Sequence, residues 1–223
     1  MPRWSRPTEA ELESFLARCH GHSFSYAPVG CTHPDLWIER QGGVLGYARA
    51  HYRIWLGQGR ECFEAACEAL EGWQMFPKEM VTLAGNRPAI DKGDDVALRI
   101  HALGFWTMAA CRIVYRVDQR QADENGSSRN YGFAYGTLPW HLERGEERFL
   151  IQWQADNNVF YDLLAFSRPQ MAWVWCGMPL ARWQQRRFGH MSGWAMRNAV
   201  VGKEGVDIAA ETPGKAVWVR AGT

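Results

Sequence analysis

Tyr131-Gly-Phe-Ala-Tyr-Gly-Thr137 is the first of three neighbouring segments that alternate in polarity or are rich in β-branched and aromatic residues. The other two are Glu146-Glu-Arg-Phe-Leu-Ile-Gln-Trp153 and Val159-Phe-Tyr-Asp-Leu-Leu-Ala-Phe166. Such patterns are typical of strands, and the turn-forming residues between the segments leave only short connections. The region therefore predicts an antiparallel meander.

Upstream of the meander the same signals predict strands at Val96–Leu103 and Cys111–Val117, and a first strand at Phe24-Ser-Tyr-Ala27. Between Gln58 and Trp73 the apolar residues recur every three or four positions while glutamates occupy the opposite face, which predicts a helix. A Thr8 cap followed by Glu11 predicts a short helix that ends near Cys19.

A last helix is expected from Pro179 to about Val200, with an apolar stripe along it. The stripe comprises Leu180, Trp183, Phe188, Met191 and Trp194. The order strand, helix, meander and long helix predicts an α+β fold in which a curved antiparallel sheet wraps around the C-terminal helix. The expected parts are an N-terminal extension over residues 1–22, a single domain over 23–201 and a tail over 202–223.

Composition excludes several classes of protein. The 223 residues are 47% hydrophobic and carry a net charge of +1, so we expect a folded domain without a nucleic-acid partner. Met1–Glu13 has no apolar export signal, and uncharged stretches of at most 16 residues are too short to span a membrane. The six cysteines lack metal-binding spacing, which favours a reducing, cytoplasmic location and indicates no metal or cofactor. The oligomeric state stays open.

The pairing of the meander predicts which residues share a face. If Leu138–Gly145 and Gln154–Asn158 are hairpin loops, one face is mostly apolar and the other, which includes Tyr135, is mixed and suited to water, with Arg148 paired to Asp162. The apolar face would collect Gly132, Ala134, Gly136, Glu147, Phe149, Ile151, Trp153, Val159, Tyr161, Leu163, Ala165 and Ser167. A sheet that curves without closing on its helix leaves a cavity on that face. A solidly filled interior is the alternative.

Such a cavity predicts binding of a small hydrophobic or amphipathic molecule. The polar end of this ligand would be held by Glu147, Ser167 and His141. Its apolar body would lie against five residues of the apolar face, namely Phe149, Ile151, Trp153, Tyr161 and Leu163. Tyr135 could orient the ligand through its hydroxyl or simply pack in the fold. Arg168 could hold an anionic head group, or pair with a neighbouring carboxylate.

Acid–base chemistry is a second possibility in the same place. Burial raises the pKa of a carboxyl group, so Glu147 could act as a general acid or base, with His141 reaching it across the hairpin. The alternatives are an exposed carboxylate at a strand end and a loop histidine with a packing or solvent role. Ser167 lacks the G-x-S-x-G surroundings of a nucleophile, which argues against covalent catalysis.

Several blocks of residues closely resemble one known family. They are Gly132-Phe-Ala-Tyr-Gly-Thr-Leu-Pro-Trp-His141, Gly145-Glu-Glu-Arg-Phe149, Phe166-Ser-Arg-Pro169, Pro179-Leu-Ala-Arg-Trp-Gln-Gln-Arg-Arg-Phe188 and the helical segment Leu56–Trp73. The family is the one called domain of unknown function nineteen-ninety, and the resemblance covers roughly Phe24 to Val200. Its element order is in turn similar to the helix-grip fold of START-like and birch-pollen-allergen-like proteins, which implies a site for lipids, sterols, polyketides or other apolar ligands. The polar loop Asp123–Asn130 and the tail look like additions.

Three functions therefore remain open from sequence. The first is a carrier of a small apolar ligand, and the second is an enzyme of cyclase, hydratase or hydrolase type that uses Glu147 and His141. The third is an interaction module that uses a tryptophan-rich surface around Trp173 and Trp175.

Overall fold

The computed structural model describes residues 2–36, 44, 46–85, 88–123, 126–170 and 178–201. In chain order its helices and strands are α1 (Glu9–Cys19), β1 (Ala48–Gln58), α2 (Gly59–Glu71), β2 (Val81–Leu83), β3 (Asp95–Ala102), β4 (Phe105–Asp123), β5 (Gly126–Thr137), β6 (Glu143–Trp153), β7 (Asn158–Pro169) and α3 (Met178–Val201).

The seven strands form one antiparallel sheet in the order β1-β7-β6-β5-β4-β3-β2. Strands β2 to β7 follow one another as a meander, and β1 returns from the N-terminal side to pair with β7. Helices α2 and α3 pack against one face of this sheet, which is its concave face. The α+β prediction of a curled sheet that grips a C-terminal helix is confirmed.

Helix α2 buries the apolar stripe that its sequence predicts, including Cys62, Phe63 and Leu70. The stripe predicted for α3 is partly wrong. Trp183 and Trp194 are exposed, and the buried side of the helix carries Ser192, Met196 and Val200. Phe188 and Met191 are half-buried against the core, as the predicted stripe requires, and the side chain of Leu180 is outside the described part of the structure.

The opposite, convex face of the sheet is covered by the N-terminal residues. Helix α1 begins with the predicted capping box of Thr8 and Glu11, and it buries Phe15 and Cys19 against Ala110. Residues 22–36 continue over β7, where Tyr26 and Cys31 pack on Leu164 and Phe166. The expected strand at Phe24–Ala27 is irregular backbone in the structure.

This cover corrects the prediction that the second face of the meander meets water. Arg148 pairs with Asp162 as expected, at 2.9 Å, but both side chains are buried. Arg148 also donates a hydrogen bond to the backbone oxygen of Thr32, and Asp162 binds Nε2 of His51. The polar residues of this face therefore attach the N-terminal segment to the sheet.

The predicted pairing register is correct between β6 and β7, and it is wrong by one residue between β5 and β6. Phe149 lies opposite Leu163, as expected, whereas Phe133 rather than Ala134 lies opposite Phe149. Tyr131, Phe133 and Tyr135 therefore belong to the concave face, and Gly132, Ala134 and Gly136 to the convex face. A Cβ on Gly136 would lie 2.2 Å from the hydroxyl oxygen of Tyr26, so this glycine makes room for the N-terminal cover.

Two further differences concern strand length and number. The sequence interpretation missed β1, whose residues Arg49, His51 and Arg53 alternate with Ala50, Tyr52 and Ile54. The segment expected as a loop at Asp123–Asn130 is mostly strand, because β4 runs to Asp123 and β5 begins at Gly126. The tail over 202–223 lies outside the described residues.

Candidate functional site

A cavity of about 440 Å³ lies between the concave face and the N-terminal half of α3. Its walls include Tyr52 of β1 and Val81 of β2, which are strands at opposite ends of the sheet order. Both ends of the sheet can reach one cavity only because the sheet curls. Apolar side chains dominate the lining, among them Leu98, Ile100 and Phe188.

An aromatic cluster separates the cavity from the solid core below α2. Phe76 contacts Tyr135, Phe149 and Phe188, with ring centroids 6.2 to 6.5 Å apart. Core residues lie beyond this cluster, so the concave face is filled at one end and hollow at the other.

Of the five residues expected to bury a ligand, only Leu163 lines the cavity. Phe149, Ile151 and Tyr161 are fully buried in the core, and Tyr161 shares a 2.8 Å hydrogen bond with Ser192 of α3. Trp153 lies against Phe63 of α2, with ring centroids 5.6 Å apart. The prediction placed the hollow too far along the meander, because the sequence does not show where α2 fills the concave face.

Glu147 occupies the cavity wall with Tyr135, its partner across β5 and β6. The Tyr135 hydroxyl donates a hydrogen bond to Glu147 Oε2 at 2.5 Å. Burial raises the pKa of Glu147 to about 7, against the lowering effect of this hydrogen bond, and the nearby Glu143 raises it further. Glu147 is therefore close to half protonated at neutral pH.

His141 lines the same cavity, in the loop between β5 and β6. Its Nδ1 accepts a 3.0 Å hydrogen bond from the backbone N–H of Glu143. Burial lowers the pKa of His141 to about 4, so the ring is neutral at pH 7. Among the described residues, the hydrogen bond of Glu147 is to Tyr135 and not to His141. The two expected acid–base residues thus share the cavity without pairing directly.

Ser167 is also in the lining, on the β7 edge of the cavity. Gln185 of α3 donates hydrogen bonds from Nε2 to Ser167 Oγ at 3.0 Å and to Glu143 Oε1 at 2.7 Å. These bonds tie α3 to β6 and β7 at the side of the hollow. Arg168 is placed elsewhere, with its guanidinium 4.6 Å from the ring centroid of Tyr47.

Sequence reasoning missed the contributions of β1 and α3 to this site. Tyr52 and Ala50 line the cavity from β1, and the alternation of that segment was the signal that could have found them. The ring of Tyr52 lies close to Gly189, where a Cβ would be 2.3 Å from Tyr52 Cε2. Gly189 therefore lets the helix approach the strand that carries Tyr52.

Three further observations concern metal ligands, membrane helices and the tryptophan-rich segment. Within residues 2–36, 44, 46–85, 88–123, 126–170 and 178–201, no three or more His, Cys, Asp or Glu side chains group as metal ligands would. Among the described helices, none combines the length and apolar character needed to cross a membrane. Trp173 and Trp175 lie outside the described residues.

Comparison with known proteins identifies relatives along most of the chain. A UPF0548 protein of Dictyostelium discoideum is 35% identical over 193 residues, which cover 82% of this chain and 88% of the relative. A UPF0548 protein of Deinococcus radiodurans is 34% identical over 192 residues, which cover 81% and 89%. A UPF0548 protein of Arabidopsis thaliana is 24% identical over 200 residues, which cover 86% and 94%.

Among solved structures, Ara h 8.0201 matches 71% of this chain and 100% of its own, with a TM-score of 0.42 and 11% identity. Human STARD10 matches 88% of this chain and 81% of its own, with a TM-score of 0.39 and 12% identity. In addition, residues 25–195 match the family described as domain of unknown function (DUF1990). This match spans all seven strands, helix α2 and most of α3, and the chain belongs to the DUF1990 family.

Proposed function

We propose that this protein binds a small hydrophobic or amphipathic molecule in the cavity between the concave face and α3. The observation that carries the proposal is the cavity of about 440 Å³, whose lining is mainly apolar beside a few polar groups. This size and character are typical of small-molecule sites. The apolar body of the ligand would lie against Leu98, Ile100 and Leu163.

The polar end of the ligand would lie at Glu147, His141 and Ser167, which line one cavity together. Glu147 keeps one carboxyl oxygen outside its bond with Tyr135, and this oxygen can contact a ligand. We further propose that the protein works in the cytoplasm, where thiols stay reduced, because the five cysteines among the described residues are free.

The test is native mass spectrometry of protein purified from its own cell extract, compared with two variants. Ala165 lines the cavity opposite Glu147, so Ala165→Leu fills part of the hollow. Ala155→Leu changes the exposed turn between β6 and β7 and is the matched control. We expect a small molecule to accompany the native protein and the control but not Ala165→Leu. Equal occupancy in all three proteins would contradict the proposed site.

A second candidate is an acid–base enzyme in the same cavity. It is favoured by Glu147, because burial brings the pKa of its carboxyl to about 7, where a general acid or base works well. Replacing Glu147 by Gln separates the two candidates once the ligand is known. A carrier keeps its affinity within about tenfold, whereas an enzyme loses on the order of 10²-fold or more in turnover.

A further inference from the structure

Glu147 presents one carboxyl oxygen to the cavity. Its Oε2 accepts the hydroxyl hydrogen of Tyr135, and among the described residues its Oε1 has no hydrogen-bond partner. The fold separates this carboxyl from bulk water, so a molecule reaches it through the cavity. A carboxylate in such a position has lost most of its hydration when the protein folds. A cation that enters the cavity therefore meets a partner that needs little further desolvation.

Gln184 of α3 supplies a second acceptor. Its Oε1 is buried in the lining and has no hydrogen-bond partner among the described residues. A buried acceptor without a partner lowers stability, and a donor on a bound ligand would remove that penalty. The aromatic side chains of Tyr52, Tyr135 and Phe188 also belong to the lining, and the face of an aromatic ring attracts a cation. These groups favour a ligand that carries N–H donors and a positive charge.

Ser167 and His141 offer different hydrogen bonds. Ser167 Oγ accepts from Gln185 and keeps a second lone pair for a ligand. Nδ1 of His141 accepts the N–H of Glu143, so the neutral ring carries its hydrogen on Nε2 and donates from there. His141 therefore suits an uncharged oxygen of the ligand, and the N–H groups of the ligand would lie toward Glu147.

Two other charged side chains act on this part of the cavity. Glu143 adds to the effect of burial in raising the pKa of Glu147. Burial raises the pKa of Tyr52, while Arg186 of α3 acts to lower it and Glu147 to raise it. Arg186 is exposed, so water and salt screen its charge more than they screen that of Glu147. A cation bound at Glu147 would thus gain more from the carboxylate than it loses to Arg186.

Resting on the proposed function, we infer that the ligand is an apolar amine, whose protonated nitrogen donates to Glu147 Oε1 while its apolar body lies against Leu98, Ile100 and Leu163. The ammonium group gains a hydrogen bond to a carboxylate, which is about twice as strong as one between neutral groups. Gln184 Oε1 offers an acceptor to a further donor of the ligand. An alcohol of the same shape has no charge to pair and binds more weakly.

Binding of an ammonium ion should release a proton from the site. Burial raises the pKa of Glu147 to about 7, so about half of the empty protein carries a proton there at pH 7. Apart from Glu143 and Arg186, the titratable groups that act on Glu147 or share its cavity are uncharged at that pH, because burial shifts each pKa away from 7. They are Tyr52, Tyr135, Tyr161, Cys111 and His141. The ammonium ion needs the ionised carboxylate, so Glu147 gives up its proton.

Isothermal titration calorimetry of the native protein tests this inference with decylamine and 1-decanol, which share one alkyl chain. We expect decylamine to bind about tenfold more tightly than 1-decanol at about pH 8. Its affinity should fall by up to about tenfold between about pH 8 and pH 6, as Glu147 takes up a proton, whereas that of 1-decanol should stay constant. Buffers of different ionisation enthalpy should show that decylamine releases about half a proton at pH 7.

Two opposite results have different meanings. If 1-decanol binds as tightly as decylamine, or if decylamine binds independently of pH, the inference is overturned and binding in the cavity stands. If neither probe binds, the proposed function itself fails.

A pair of variants identifies the group that holds the amine. Glu147→Gln keeps the shape of the side chain and removes its charge, so it should weaken decylamine binding about fivefold to tenfold and abolish proton release. Its affinity for 1-decanol should stay within about twofold of the native value. Glu64→Gln is the matched control at an exposed position of α2 and should leave both affinities unchanged. Native decylamine affinity and proton release in Glu147→Gln would overturn the inference.

Discussion

Glu146 and Glu147 are consecutive residues of β6 whose carboxyl groups lie on opposite sides of the sheet. Glu146 is buried beneath the N-terminal segment and accepts hydrogen bonds from the hydroxyls of Tyr26 and Thr32 and from two backbone N–H groups. Glu147 lines the cavity and accepts from Tyr135. One carboxylate fastens the fold, and the other is available to a ligand.

The first prediction compares the same substitution at these two positions. Glu146→Gln replaces one acceptor oxygen with an NH₂ group that faces N–H and O–H donors, so it should lower the free energy of unfolding by about 2 kcal/mol. Glu147→Gln should cost less than about 1 kcal/mol at pH 7, because the native carboxyl is already partly protonated. Urea denaturation measures both values, and equal losses would contradict this division of roles.

The second prediction concerns stability against pH. Burial raises the pKa of folded Glu147 to about 7 from an ordinary value of 4.5, so the folded state holds a proton that the unfolded state releases. Its stabilising contribution is therefore complete below about pH 4.5 and lost as the pH rises through 7. The expected loss is about 3 kcal/mol, because the pKa rises from 4.5 to about 7 and each unit corresponds to about 1.4 kcal/mol. The Glu147→Gln variant should not show this decrease in stability with pH. Denaturant titrations of both proteins at several pH values measure the difference.

The third prediction concerns acid. Burial lowers the pKa of folded His141 to about 4 from 6.5, so below pH 6.5 the unfolded state takes up a proton that the folded state refuses. Stability from this group is complete above about pH 6.5 and is lost as the pH falls through 4. Between pH 6.5 and 4 the free energy of unfolding should fall in both proteins, and in His141→Asn the fall should be smaller by on the order of 2 kcal/mol. Parallel acid titration curves would contradict burial of the neutral ring.

The fourth prediction reverses a familiar helix rule. Alanine normally stabilises a helix interior by about 1 kcal/mol relative to glycine. At Gly189 the new Cβ would lie 2.3 Å from Tyr52, so Gly189→Ala should instead destabilise by about 1 kcal/mol or more. Because Tyr52 lines the cavity, ligand affinity should change as well. Thermal unfolding measures the effect, and Asn198→Ala at an exposed position of α3 is a control that should stabilise slightly.

Local patterns were sufficient to predict much of the meander. The β6–β7 register follows from a short turn after Trp153, which leaves little freedom in how the strands pair. Alternation and helical periodicity likewise identified α2 and the strands from β3 to β7. These features are set by residues that are close together in the sequence, so the sequence alone is enough to predict them.

Features that depend on distant contacts were predicted less well. The small residues Gly132, Ala134 and Gly136 suggested complementary packing inside the sheet, but Gly136 makes room for Tyr26 on the convex side, and a Cβ on Gly132 would meet the backbone oxygen of Phe149 on β6. Strand β1 carries three basic residues on its outer face, and buried Asp162 accepts from one of them, His51. The position of the cavity depends on where α2 ends and α3 begins relative to the sheet, which no local pattern encodes.

The pairing of β1 with β7 sets a limit on when the cavity of this protein can form. Residues of the cavity wall span the chain from Ala50 to Phe188. During synthesis the hollow cannot exist until the chain has left the ribosome as far as Phe188, because its first wall, on β1, is completed only by its last, on α3. Any molecule that the cavity encloses can therefore enter only after β1, the meander and α3 have come together.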